Sequence, residues 1–532
     1  MSLLLLVALL LPLALACRDS GKSSTRPIAH SGKTKGDLLP SVSVAINHLE
    51  DFDNAQILPQ VRDWLNQWIQ NEKPAVKWEP DPLLSTLPDE LQKLQIVETL
   101  GSREFTQDDV RFVQENIWLR DISRAARAND FSGQHDDADQ FADLPVAQRL
   151  FDWTVRNIQL QREPGPADPK PRLHTPSEIL LLGRGTAVER GWLFILLARQ
   201  QGIDAVMLAF PDSDQPDGAR PWLPAVVLEE QLYLFDPRLG LPLPGPGGKG
   251  VATLAQAAAD DAVLRQLDLE DARRYPASAA ELKGMIAFVE ASPQYLSRRM
   301  KLLGTHLAGK SQVVLWVDAS ELAKRTRAAG PVSAARLWPL PYRAWQSSVR
   351  PSAAEQQAAR EETVLFQAVP ALINGRIHQF KRDFDGDKGA KKIYLHARPS
   401  EQELRKLKLP PELERELQAK GRNDPKLREK IVNEQIKLQE LGKQSATLWL
   451  GLMAFEEHSY PVAVEDFSTH LLEEFPAGPW TNAARYNLAR SYEADGRPQE
   501  AIKIYEADKS PQSHGNKLRA RALKAKLPAE SK

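Results

Sequence analysis

LLLGRGTAVERGWLFILLARQQGID, Leu180 to Asp204, is the stretch whose reading decides the fold. Gly183 and Gly185 make a Gly-x-Gly turn. A helix of about four turns follows, through Trp192, Leu193, Ile195, Leu196 and Leu197. Apolar residues fall almost all round it, so it belongs at the centre of a core. Gly202 ends it, because a helix C-terminus favours a residue that tolerates positive φ. Ala205 to Phe210 then reads as a strand. Thr186 and Glu189 have the Thr-x-x-Glu spacing of a capping box, in which hydroxyl and carboxylate satisfy free N–H groups at the helix start.

Working outward, Leu144 to Ile158 is an amphipathic helix whose end carries Trp153, Asn157 and Ile158. Arg162 to Arg172 holds four prolines and is a connection. Downstream, Pro211 to Pro221 is a polar loop. Two apolar runs, Leu223–Leu228 and Gln231–Phe235, flank Glu229 and Glu230 and read as an antiparallel hairpin. The second run leads into Asp236-Pro237.

These elements resemble the transglutaminase-like superfamily. The residues that carry the likeness are the Gly-x-Gly turn, the ending Leu196-Leu197-Ala198-Arg199-Gln200-Gln201-Gly202-Ile203-Asp204-Ala205, the Trp153 to Ile158 helix end and Leu234-Phe235-Asp236-Pro237. It covers Leu144 to about Leu241. The resemblance implies a papain/transglutaminase-like α+β core with a cysteine at the helix start. There the positive end of the dipole lowers a thiol's pKa. It also implies a histidine base on the first hairpin strand and an aspartate that orients it. Matched residue by residue, the nucleophile slot falls at Ala187, or at Thr186 with a one-residue shift. The histidine slot falls at Trp222, and the acidic slot at Asp236. Neither a cysteine nor a histidine is present at these positions, and His174 is the nearest histidine in sequence. Triad members act as a unit, so the resemblance implies a unit without catalysis. The alternative is a divergent acyl-transfer or peptidase-type enzyme using Thr186 and Glu189. A further alternative is a small ligand or glycan in the vacated cleft, walled by Trp192 and Trp222.

The 532 residues suggest two to four domains, at roughly 150 residues each. A net charge of −1 gives no global field for nucleic acid, and no nucleic-acid partner is expected. The single cysteine, Cys17, excludes internal disulfides and thiolate zinc sites; no cofactor or metal is expected. Ser2 to Ala16 is too short to span a membrane and reads as a signal peptide. Ala14-Leu15-Ala16-Cys17 looks like a bacterial lipobox, which makes Cys17 the lipidated residue. The expected location is the bacterial cell envelope, lipid-anchored and facing the periplasm, with Arg18 after the cysteine favouring the outer membrane.

The fold class is α+β, laid out as follows. Residues 1–17 are the signal peptide and 18–41 a disordered tether. Residues 42–140 are helical, with faces Leu58-Val61-Trp64-Leu65-Trp68 and Val110 to Ile122. The transglutaminase-like unit occupies 141–245. Leu241 to Gly250 reads as a linker. A small α+β middle module, 251–400, follows, helical over Val251–Leu303, with a strand at Gln312–Asp318 and an extended edge piece at Arg336–Tyr342. Over 425–527, Leu450-Gly451, Ala463 and Phe467 recur as Leu488-Ala489, Ala501 and Tyr505. They resemble tetratricopeptide repeats, with extra residues expected in Ala477–Trp480 and with Leu427–Leu441 and Asn516–Leu527 as neighbouring helices. Such an array implies a groove for a protein or peptide partner. The function expected is that of a non-catalytic, membrane-anchored envelope protein serving protein–protein interaction.

Overall fold

The computed structural model describes residues 38–47, 54–128, 142–163, 172–215, 217–270, 273–420 and 424–527. Residues 1–37, where the signal peptide, the lipidated Cys17 and most of the tether are expected, lie outside the described residues. Helix α1, Leu38–Asn47, starts inside the segment read as tether. Helices α2 (Asn54–Glu72) and α3 (Gln107–Ala128) follow, burying the faces expected of them.

The fold class is α+β, mostly helical around one mixed sheet. Helix α4 (Asp143–Asn157) runs into β1 (Gln159–Leu160). After helix α5 (Pro176–Leu182) comes β2 (Arg184–Gly185), which pairs in parallel with β1. Gln159 N–H donates to Gly183 O at 2.8 Å and Gln161 N–H to Gly185 O at 2.9 Å. The glycine turn is thereby tied to the end of α4. Gly183 has φ 65° and caps α5 in the left-handed conformation.

Helix α6 (Ala187–Arg199) buries every residue except Val188, as its all-round apolar pattern requires. It packs on a six-stranded sheet of order β6-β5-β4-β3-β7-β8. The strands are β3 (Ala205–Pro211), β4 (Ala219–Leu228), β5 (Gln231–Asp236), β6 (Leu241–Pro242), β7 (Met285–Val289) and β8 (Val332–Leu337). All neighbours are antiparallel except β7 and β8. Gly191 lets α6 lie flat on this sheet: a Cβ there would meet Met207 Cε at 2.7 Å and Pro224 Cδ at 3.2 Å.

Four expectations are corrected here. The linker Leu241–Gly250 contributes β6, and Leu243 exchanges backbone bonds with Leu234 and Ala252. The sheet therefore runs through the junction read at 245–251. Within the segment read as helical, Met285–Val289 is a strand buried along its whole length, beside β3. Such a short apolar run has no periodicity to tell strand from helix. Gln312–Asp318 is extended but joins no ladder; the Gln200 amide donates to Val314 O at 3.0 Å and accepts from Val314 N–H at 3.1 Å. A side chain thus meets the backbone groups that a strand partner would have met. The edge piece ends at Leu337, and Pro339 opens helix α7 (Pro339–Val349), where a missing N–H is harmless.

Helices α8 (Ala353–Ala368) and α9 (Ala371–Phe380) lead toward the C-terminal helices. Helix α10 spans Pro425–Glu456 unbroken, so the expected neighbour Leu427–Leu441 and the first repeat helix are one element. Helix α11 (Tyr460–Phe467) continues as a π-helical turn over Ser468–Glu473. Helices α12 (Thr481–Ala494), α13 (Pro498–Ala507) and α14 (Ser513–Lys526) complete the array. In α14, Arg519 pairs with Glu493 on α12 at 2.6 Å and Lys524 with Glu506 on α13 at 2.5 Å, so two of its basic residues are engaged by the helices beside it.

The end of α10, together with α12 and α14, docks on the sheet unit. Trp153 Nε1 donates to Glu456 Oε1 at 3.0 Å. The Gln159 amide accepts from Ala483 N–H at 2.9 Å and donates to Pro479 O at 3.0 Å. Asn487 donates to Arg156 O at 3.0 Å, and Arg490 pairs with Asp152. At Gly515 a Cβ would lie 1.7 Å from Leu239 O. The first helix of each pair thus faces residues of its own chain.

Candidate functional site

The sequence singles out the start of α6, and its hydrogen bonds define what it does. Thr186 Oγ1 accepts from Glu189 N–H at 3.2 Å, and Glu189 Oε2 accepts from Thr186 N–H at 2.7 Å. The capping box is closed, and Thr186 is a helix cap. Ala187, in the nucleophile slot, is buried and offers no reactive atom.

Glu189 Oε1 faces His174, taking its backbone N–H at 3.1 Å and its Nδ1 at 2.7 Å. His174 Nε2 lies 3.1 Å from Glu362 Oε1, on α8. Glu362 Oε2 in turn pairs with Arg172, which also holds Glu178 at 2.8 Å. Burial alone would lower the His174 pKa. The bonds to two carboxylates outweigh burial and push it up to about 9. Glu189 and Glu362 are both held below the usual carboxylate range: each is opposed by burial, and the hydrogen bond to His174 heads the effects that outweigh it. An imidazolium donating from both nitrogens has no lone pair for a proton from Thr186. The nearest histidine in sequence is therefore a buried cation in a chain of ion pairs rather than a base.

The other two slots lie on the opposite side of the sheet. Phe235 faces α6, its ring centroid 5.0 Å from that of Phe194. Asp236, the next residue, turns away: its Oδ2 accepts from Tyr275 OH at 2.6 Å. Trp222 Nε1 donates to that same Tyr275 oxygen at 3.2 Å. Tyr275 and Trp222 pack with Leu232 and Leu234 in the core beneath the sheet. The cause is a β-bulge in β4. Leu208 pairs with Leu223 while Ala209 pairs with Pro221, leaving Trp222 as the extra residue. Asp236 Oδ1 accepts from Arg238 N–H at 2.7 Å and Leu239 N–H at 3.1 Å, capping the turn. Burial outweighs these donors and raises the Asp236 pKa. Ala187 thus stands apart from Trp222 and Asp236, which Tyr275 joins.

The glycine-led helix does lie beside the end of β5. Arg190 Nη1 donates to Pro237 O at 3.1 Å and to Gln512 Oε1 at 2.6 Å, its Nε to Ile158 O at 2.6 Å and its Nη2 to Val155 O at 3.2 Å. All four acceptors are neutral oxygens.

Trp192 and Trp222, expected as two walls of one cleft, separate. Trp222 is packed beneath the sheet. Trp192 lines a cavity of about 510 Å³. Further walls come from Phe112 and Glu115 on α3, Glu178 on α5, Gln294 after β7, and Trp345 on α7. Glu115 Oε2 accepts from Ser177 N–H at 2.8 Å. Burial pushes the Glu115 pKa up to about 7, and the nearby Glu290 and Glu178 charges add to the rise. Sequence reading missed Glu115, Tyr275 and Glu362. Glu115 sits in a helix chosen for its apolar face, and the other two reach their partners across 39 and 188 residues.

Compared with protein-family models, curated proteins and solved structures, the chain matches none.

Proposed function

We propose that this is a non-catalytic, lipid-anchored protein of the bacterial cell envelope. In this reading a degenerate transglutaminase-like unit serves as scaffold, and tetratricopeptide-like repeats present it to a protein partner. The observation that carries the reading is the fate of the catalytic slots. Ala187 is inert, Thr186 and Glu189 close on each other, and Asp236 is tied to Trp222 through Tyr275. Docking of α12 and α14 on the sheet unit makes the two parts one body. A partner then meets the outer helices, or a surface shared by both parts, rather than an open inner groove.

The test has three arms on the full chain. Acyl transfer and peptide hydrolysis should be absent; turnover that disappears in Thr186→Ala overturns the reading in favour of a divergent enzyme. Cys17→Ser should release the chain from the membrane fraction, and retention there would remove the anchor. Cross-linking in envelope membranes should capture a discrete protein partner.

A further inference from the structure

The cavity beside Trp192 has the size of a small-molecule site, ~300–1,000 Å³ being the usual range. Its charges decide what fits. Asp108 is paired with Arg111 at 2.8 Å, and Glu178 with Arg172 at 2.8 Å. Glu115 takes hydrogen bonds from the Ser177 N–H and hydroxyl only, and no cation among the described residues pairs with it. An anion would meet uncompensated negative charge. A neutral sugar would leave the carboxylate without a counter-charge. A cation supplies one, and aromatic walls at Phe112, Trp192 and Trp345 suit an ammonium carried on an apolar group.

We infer that this cavity binds a small organic amine, its ammonium held by Glu115 among the walls formed by Phe112, Trp192 and Trp345. The site is independent of the catalytic slots, so it stands or falls apart from the scaffold reading. The groups that face Glu115 are Asp108 and Arg111 on its own helix, Glu178 and the Ser177 N–H on α5, and Glu290 beyond β7. Glu290 is itself paired with Arg199. Glu115 must be ionised to hold a cation, so binding at neutral pH expels its proton.

Calorimetry on the full chain with benzylamine, benzyl alcohol and Nα-acetyl-lysine amide tests this. Benzylamine should bind saturably and release about half a proton at pH 7, read from buffers of different ionisation enthalpy. The apparent affinity should fall roughly tenfold from pH 8 to pH 6, as the ionised fraction of Glu115 falls. E115Q should weaken binding on the order of tenfold or more and abolish proton release. S348W, which fills the rim at an exposed position, should also block binding if E115Q does not fold. Preference for the lysine derivative assigns the ammonium to a peptide side chain; preference for benzylamine assigns it to a free amine. Equal affinity for benzyl alcohol, unchanged binding in E115Q and S348W, or no saturable binding of either amine overturns the proposal.

Discussion

Two glutamates in this protein start from the same sequence ingredient and end in opposite states. Glu189 has three donors on its two oxygens, Thr186 N–H, His174 N–H and His174 Nδ1, and its pKa is lowered against its burial. Glu115 has only the N–H and hydroxyl of Ser177, neither of them charged, and is pushed up to about 7. Withdrawal from water penalises both charges; the partners decide the outcome. A carboxylate held by three donors, one of them a cation, is architecture. One with free capacity, facing a cavity, is where a ligand gains something by arriving.

The largest effect expected from this contrast is Glu189→Leu. It takes from the His174 cation the nearer of its two carboxylates and removes the Glu189 half of the α6 capping box, and breaking such a buried pair costs about 3–5 kcal/mol. Chemical denaturation reads it directly. E115Q, which removes a poorly compensated charge, should leave the same transition unlowered at neutral pH or raise it. Equal losses in the two variants would erase the distinction. Next in size is Gly515→Ala. Its Cβ would sit inside Leu239 O, and relief needs a backbone shift costing roughly 1–3 kcal/mol. Limited proteolysis should then cleave between α13 and α14 sooner than in the parent.

The pH dependence separates the two groups by window. His174 rises from 6.5 to about 9, so its contribution is full below 6.5 and is lost as pH climbs to 9. Glu115 rises from 4.5 to about 7, so the folded state binds more protons between these values. Its effect is also a loss of stability with rising pH, one that starts near pH 4.5 and runs through pH 7. Stability of E115Q relative to the parent should therefore change from pH 4.5 through 7 and level off about one unit higher. The Glu189→Leu difference should instead move between 6.5 and 9. Asp236→Asn is the mildest change. The carboxamide oxygen keeps the turn cap and its amide can donate to the Tyr275 oxygen, leaving a loss near 1 kcal/mol in thermal unfolding.

What was legible in the sequence is what neighbouring residues decide among themselves. The α6 helix, its Thr186–Glu189 cap, Gly202 with φ 74° and the hairpin around Glu229 and Glu230 all depend on spacings of a few residues. The misses are long-range. Met285–Val289 becomes a strand because the edge of β3 is open to it, and Gln312–Asp318 does not, because Gln200 reaches its backbone first. The slots at Trp222 and Asp236 lie on one strand pair as the spacing says. A bulge of one residue turns the Trp222 side chain to the far face, and no periodicity in Arg220–Ala225 announces it. His174 stands outside the strand where a histidine is expected, and its two carboxylate partners lie 15 and 188 residues away.

Arg190 accepts help from Val155, Ile158 and Pro237, all encoded within 47 residues of it, and from Gln512, encoded 322 residues later. During synthesis the sheet can assemble around this guanidinium long before its last acceptor has left the ribosome. Until then the central helix carries a charge matched on one side only. A chain lacking Gln512 leaves Arg190 Nη1 with Pro237 O alone, so a buried guanidinium at the centre of the fold loses one of its four acceptors.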